Sequence, residues 1–237
     1  MGSSRLPGKV LLDLCGKSVL LHVIGRARAA PNVDAVVLAT TVQPGDDAVV
    51  AEAERAGARV YRGSESDVLA RYHEAAARER ADVVVRLTAD CPFLDPGLVG
   101  ALAKKFVERQ GAIDYLSNTL VRTYPRGLDA EVFSMAALER AAREAVLPEE
   151  REHVTPYLYR HPGLFRVENH AAAQDDSGFS VTLDTPADWA AIRRVGEALD
   201  VGSRVPPMAE LLQFLRSHPE IAAANTRNSQ DESAVPR

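Results

Sequence analysis

The chain has 237 residues, of which 46% are hydrophobic and 26% charged, with a formal net charge of -5. No apolar run approaches the roughly 18 residues that a bilayer-spanning helix needs, and the negative charge offers no global field to nucleic acid or anionic lipid. Neither a membrane nor a nucleic acid is therefore an expected partner, and any phosphate must be held locally. Two cysteines, Cys15 and Cys91, are too few for a metal-ligand quartet. With no basic and apolar secretory signal at the start, the expectation is a reducing, cytoplasmic setting.

Past the opening segment Gly2-Ser3-Ser4-Arg5-Leu6-Pro7-Gly8-Lys9, the spacing of Val19, Leu20, Val23, Ile24 and Ala27 predicts an amphipathic helix over 18–30, closed before Pro31. Residues 34–40 form the apolar run of a strand buried on both faces of a parallel sheet. A helix over 46–56, a strand over 58–62, a helix over 67–80 and a strand over 82–88 continue the alternation. The last of these runs straight into Ala89-Asp90-Cys91-Pro92. Such alternation marks a doubly wound α/β sheet, whose ligands bind beyond the carboxyl ends of its strands, so Asp90 is expected in the crevice. Strands over 113–117 and 128–133 and helices over 135–145 and 149–160 shift the pattern towards a mixed sheet. A last strand over 179–184 enters Thr185-Pro186-Ala187-Asp188, a helix start with Thr185 as cap and Pro186 in the first turn. Helices over 187–199 and 208–224 complete one domain over 1–225, followed by a polar, aperiodic tail over 226–237.

Three constellations carry chemistry. In the opening segment Gly2, Ser3 and Ser4 let backbone amides approach a phosphate, while Arg5 offers a guanidinium fork and Lys9 a point charge. The segment matches neither the Walker pattern nor the spaced glycines of dinucleotide folds, and a flexible chain start is the alternative. Asp90 and Asp184, at the ends of separate strands, are the carboxylates that magnesium takes together with phosphate oxygens and water. Each alone has a local explanation, Asp90 in the turn before Pro92 and Asp184 at the helix start. Tyr124-Pro125-Arg126-Gly127-Leu128-Asp129-Ala130-Glu131, with Glu150-Arg151-Glu152-His153, supplies Arg126, Asp129, Glu131, Arg151 and His153. These groups suit the carboxylate and hydroxyls of an acidic sugar, or else belong to a turn followed by a solvated helix face. His22 reads as a packed helix residue, Cys91 as a small buried side chain, and Arg26 and Arg28 as solvated.

Taken in order, Met1 to Lys9, Arg86-Leu87-Thr88-Ala89-Asp90-Cys91-Pro92, Tyr124 to Asp129 and Leu183 to Asp188 resemble the cytidylyltransferase family over nearly the whole chain. The resemblance is to its spore-coat polysaccharide branch, which is similar to the CMP-sialic acid and CMP-Kdo synthetases. It implies a nucleotide-diphospho-sugar transferase fold, Rossmann-like, with a mixed, mostly parallel sheet and helices on both faces. It further implies CTP held by Gly2, Ser3, Ser4, Arg5 and Lys9, with Asp67 and Thr88 beside the nucleotide. Mg2+ would sit on Asp90 and Asp184; Arg5, Lys9 and Asp90 would serve the reaction; and the chain would pair as a homodimer. In that family a sugar-acid hydroxyl attacks the α-phosphate and pyrophosphate leaves, giving a CMP-sugar for a surface polysaccharide. Two departures stand out. The family usually opens with an apolar strand and an Ala-Arg pair before the Gly-Ser-Ser-Arg loop, so a sheet lacking its first strand is expected here. Val68, in Ser66-Asp67-Val68-Leu69, stands where the Kdo synthetases carry arginine. A glycosyltransferase of the same fold that uses a ready-made nucleotide sugar, or a non-catalytic subunit, is the alternative.

Overall fold

The computed structural model describes residue 3 and residues 5–221. Gly2 and Ser4, the end of the expected last helix and the expected tail lie outside the described residues. A one-turn helix at Lys9–Leu11 and a small hairpin of β1 (Asp13–Leu14) and β2 (Lys17–Ser18) lead into α1 (Val19–Ala29). The Ser18 hydroxyl caps α1 by accepting from the Leu21 amide at 3.1 Å. The helix buries Val19, Leu20, Val23, Ile24 and Ala27. Burying each larger aliphatic contributes about 1.5–3 kcal/mol against about 1 kcal/mol for the cap, so packing fixes this helix more than its end does.

Next come β3 (Val37–Thr41), α2 (Asp47–Arg55) and β4 (Arg59–Gly63), with β3 and β4 parallel from Val37 opposite Arg59 to Thr41 opposite Gly63. Then α3 (Val68–Glu79) leads to β5 (Val83–Arg86), α4 (Pro96–Glu108), β6 (Tyr115–Ser117) and β7 (Glu131–Ser134). The chain continues through α5 (Met135–Glu144), α6 (Pro148–His153), α7 (Pro156–Arg160), β8 (Val167–Asn169), α8 (Pro186–Ala198) and α9 (Met208–Ser217). β7 lies between β5 and β6, antiparallel to both, and β8 runs parallel to β6, giving the order β5-β7-β6-β8. Successive residues of a strand point to opposite faces, and two cores follow from that alternation. Leu116 and Val132 join Leu98, Leu102 and Phe106 of α4 and Ile192 of α8. Their neighbours Tyr115 and Phe133 join Leu69 of α3 and Leu138 of α5 on the other face.

Among the described residues no ladder joins β3 to β5. Between them lies a cavity of about 810 Å³ walled by Val36, Leu38, Val83 and Val85, with Leu20 and Ile24 of α1 against it. Its lining also carries the charged side chains of Arg59, Arg71 and Arg86, so it is an open, partly polar cleft rather than a sealed void.

Four expectations change. The helix over 149–160 is two short helices, α6 and α7, because Val154 adopts φ 73° and Pro156 restarts the chain. The strand over 179–184 makes only an isolated bridge between Ser180 and Arg126. α9 ends at Ser217, since His218 precedes Pro219 and leaves the helical region at φ -130° and ψ 63°. Arg26 is buried rather than solvated, its Nη1 donating to the Leu94 carbonyl at 3.2 Å, and burial pushes its pKa down to about 10. α4 has no counterpart in the sequence reading, although Asp95 caps it by accepting from the Leu98 amide and Pro96 opens its first turn.

Candidate active site

Asp90 and Asp184 are brought together by the backbone. Asp90 follows the carboxyl end of β5, and its carbonyl accepts from the Leu183 amide at 2.9 Å. The next residue, Asp184, precedes the capping residue of α8, where the buried Asp188 carboxylate accepts from the Asp184 amide at 3.0 Å and the Thr185 amide at 2.7 Å. Thr185 and Asp188 form a reciprocal capping box, readable as Thr-Pro-Ala-Asp. Further back, Arg126 donates to the Phe179 carbonyl at 3.0 Å and accepts from the Val181 amide at 2.8 Å. Gly127 makes that approach possible: its φ is 96°, and a Cβ there would lie 2.8 Å from the Val181 carbonyl carbon.

Arg5 and Lys9 of the opening segment reach this pair. Ser3 Oγ accepts from the Leu6 amide at 3.2 Å, Gly8 takes a left-handed conformation, and the following turn aims Lys9 inward. Lys9 Nζ donates to Asp90 Oδ2 at 2.7 Å and to Asp184 Oδ1 at 2.6 Å, and Arg5 lies 3.7 Å from Asp184 Oδ1. Burial alone would lower the Lys9 pKa, but Asp90 and Asp184 outweigh it and raise the value. The geometry therefore gathers Arg5, Lys9, Asp90 and Asp184, while Gly2 and Ser4 lie outside the described residues. Among the described residues no cluster of three or more His, Cys, Asp or Glu side chains is arranged for a metal ion; the two carboxylates offer the pair of hard oxygen donors that a divalent ion takes together with oxygens of a ligand.

Beside this group, Thr88 Oγ1 lies 3.1 Å from Cys91 Sγ. Burial first, and then the Asp90 charge, pushes the Cys91 thiol well up, away from the thiolate form. His22 is buried, with Nε2 2.8 Å from the Leu14 carbonyl oxygen.

The remaining expected site residues do not join this group. Asp67 caps α3 through the Ala70 amide and accepts from Arg151 Nε at 3.1 Å. Burial opposes its charge, but Arg151 and the amide outweigh that and hold its carboxyl below the usual range. Asp129 takes both nitrogens of Arg122, at 2.6 and 3.0 Å. Arg126 is half-buried and His153 exposed at the end of α6. Glu131 is buried and accepts from Tyr115 Oη and Thr155 Oγ1, each at 2.6 Å, and from Arg86. It is thereby a structural hub between β5, β6 and β7, with its oxygens already engaged. Arg122 has no signal in the sequence, whereas Asp188 lies in the expected Thr-Pro-Ala-Asp helix start and gains its role through the capping box.

The cytidylyltransferase family model matches residues 1–198. The spore coat polysaccharide biosynthesis protein SpsF of Bacillus subtilis is 32% identical, over 94% of this chain and 93% of its own length. The 3-deoxy-manno-octulosonate cytidylyltransferase of Mesorhizobium japonicum is 30% identical over 91% of this chain and 88% of its own. Among solved structures, a cytidylyltransferase from Leptospira borgpetersenii superposes with a TM-score of 0.89 at 32% identity, covering 94% of this chain and 92% of that one.

Proposed function

The chain belongs to the cytidylyltransferase family, and from that premise we propose that it joins CTP to a sugar acid, releasing pyrophosphate and a CMP-sugar for a surface polysaccharide. The observation that carries the reading is the meeting of Asp90 and Asp184 on one cation, Lys9 Nζ, with the Arg5 guanidinium 3.7 Å from Asp184. The acceptor hydroxyl oxygen attacks the α-phosphorus, the bond to the oxygen that bridges to the β-phosphate breaks so that pyrophosphate leaves, and the hydroxyl proton passes to solvent water. Arg5 and Lys9 supply positive charge to the triphosphate, and the loop amides supply donors. Asp90 and Asp184 would hold magnesium, which when bound offsets charge on the triphosphate and the departing pyrophosphate. The acid class of acceptor is favoured by the 3-deoxy-manno-octulosonate cytidylyltransferase relative and by Arg126, close to the segment that carries Asp184.

The test is pyrophosphate release from CTP with magnesium and a panel of 3-deoxy sugar acids and nonulosonic acids, with UTP and ready-made nucleotide sugars as controls. Acid-dependent release from CTP is expected. Asp90→Asn or Asp184→Asn should lower it by about a hundredfold or more while circular dichroism is unchanged. Consumption of a nucleotide sugar in place of CTP would overturn the assignment.

A further inference from the structure

We propose that this site admits its divalent cation only together with the triphosphate, because Lys9 occupies the carboxylate pair until phosphate draws it away. The inference rests on the reading that Asp90 and Asp184 hold that cation.

Three observations carry it. First, the ammonium contacts one oxygen of each carboxylate, Asp90 Oδ2 at 2.7 Å and Asp184 Oδ1 at 2.6 Å. Magnesium bonds carboxylate oxygens at about 2.0–2.1 Å, so the two cations compete for the same positions. Second, among the described residues Lys9 and Arg5 already set two positive charges against the two carboxylates. A free divalent ion therefore finds the charge of the pair partly offset, whereas a triphosphate brings several negative charges and gives Lys9 a new partner. Third, Lys9 can leave without unfolding its surroundings. Its backbone is tied into the turn, with its amide donating to the Leu6 carbonyl and its carbonyl accepting from the Leu12 amide. Only the flexible four-carbon stem has to swing.

The consequence is positive coupling between metal and nucleotide, reciprocal by linkage. Lys9 would act on both sides of the exchange, guarding the carboxylates in the free chain and neutralising phosphate in the loaded one.

The decisive measurement is titration of Mn2+ into the nucleotide-free full chain, with free Mn2+ followed by electron paramagnetic resonance. Lys9→Gln, and Lys9→Met as a second variant that keeps the apolar stem, should bind Mn2+ about tenfold or more tighter than the native chain. Arg5→Gln removes the same charge without freeing the contacted oxygens and should shift binding much less. Folding of each variant is checked by circular dichroism. Equal Mn2+ affinity in the native chain and both Lys9 variants would overturn the proposal, as would an equal gain in Arg5→Gln. Adding Asp90→Asn and Asp184→Asn to Lys9→Gln separates the two readings. If Mn2+ binding survives there, the carboxylate assignment itself fails. If the native chain binds tightly and loses binding with the two aspartates, the assignment stands and the Lys9 exchange fails.

Discussion

Replacing Glu131 with glutamine tests whether this residue holds the fold or the acceptor. Glu131 pairs across the sheet with Arg86 on one side and Ser117 on the other. Its two oxygens accept from Arg86, Tyr115 and Thr155. Burial works against the Arg86 charge, yet Glu131 outweighs it and raises the Arg86 pKa. A glutamine amide offers one acceptor and one donor group where three donors converge. Either its nitrogen faces the guanidinium, or its oxygen does and the two hydroxyls lose their acceptor. Removing one partner of a buried ion pair costs about 3–5 kcal/mol, and the Arg86 side chain keeps some contact with solvent, so about 3 kcal/mol is expected. With a urea slope of about 2–3 kcal/mol/M, the unfolding midpoint should fall by about 1–1.5 M. Glu131→Leu combined with Arg86→Met removes the uncompensated charge but leaves the Tyr115 and Thr155 hydroxyls without this acceptor, so it should recover only the part of the loss that comes from the charge. A Glu131→Gln chain within about 0.5 kcal/mol of native stability, with a raised KM for the acceptor, would refute this and return Glu131 to the substrate.

Gly127→Ala should lower stability by about 2–4 kcal/mol, since it strains a positive φ and drives a Cβ into the Val181 backbone. Turnover should fall with it, because the displaced segment carries Asp184; urea unfolding and pyrophosphate release check both, and a fully active, equally stable variant counts against the bridge. Asp67→Asn should change how stability depends on acid. The folded carboxyl of Asp67 titrates below its unfolded value, so its contribution is present above about pH 4 and fades as pH falls through the folded value. Urea midpoints of the two chains should differ near neutrality and converge at low pH, whereas a gap that stays constant with pH would exclude the Arg151 pairing as its source.

What could be read in advance was local. The β5 run ending near Asp90 and the Thr-Pro-Ala-Asp box carry their own hydrophobic period and cap chemistry, so they told where two carboxylates sit along the chain. Residues 179–184 misled because an alternating apolar and polar run looks alike whether it forms a ladder or a single bridge, and only the partner strand decides. Arg26 misled because helical spacing does not say that α4 and its preceding loop cover that face. Glu131 was placed near substrate because a charged residue next to Val132 and Phe133 shows no sign of the three donors that converge from β5, β6 and α6–α7. The sharpest case is Lys9. A lysine in a Gly-Ser-rich loop satisfies the expectation of a phosphate ligand, and nothing nearby in sequence competes for it. In the fold it sits between carboxylates 81 and 175 residues away. Two acids brought this close need a cation to offset their mutual repulsion. The same need that makes the pair a candidate metal site is met in the fold by the loop's own lysine, a placement that follows from charge balance once the chain is folded.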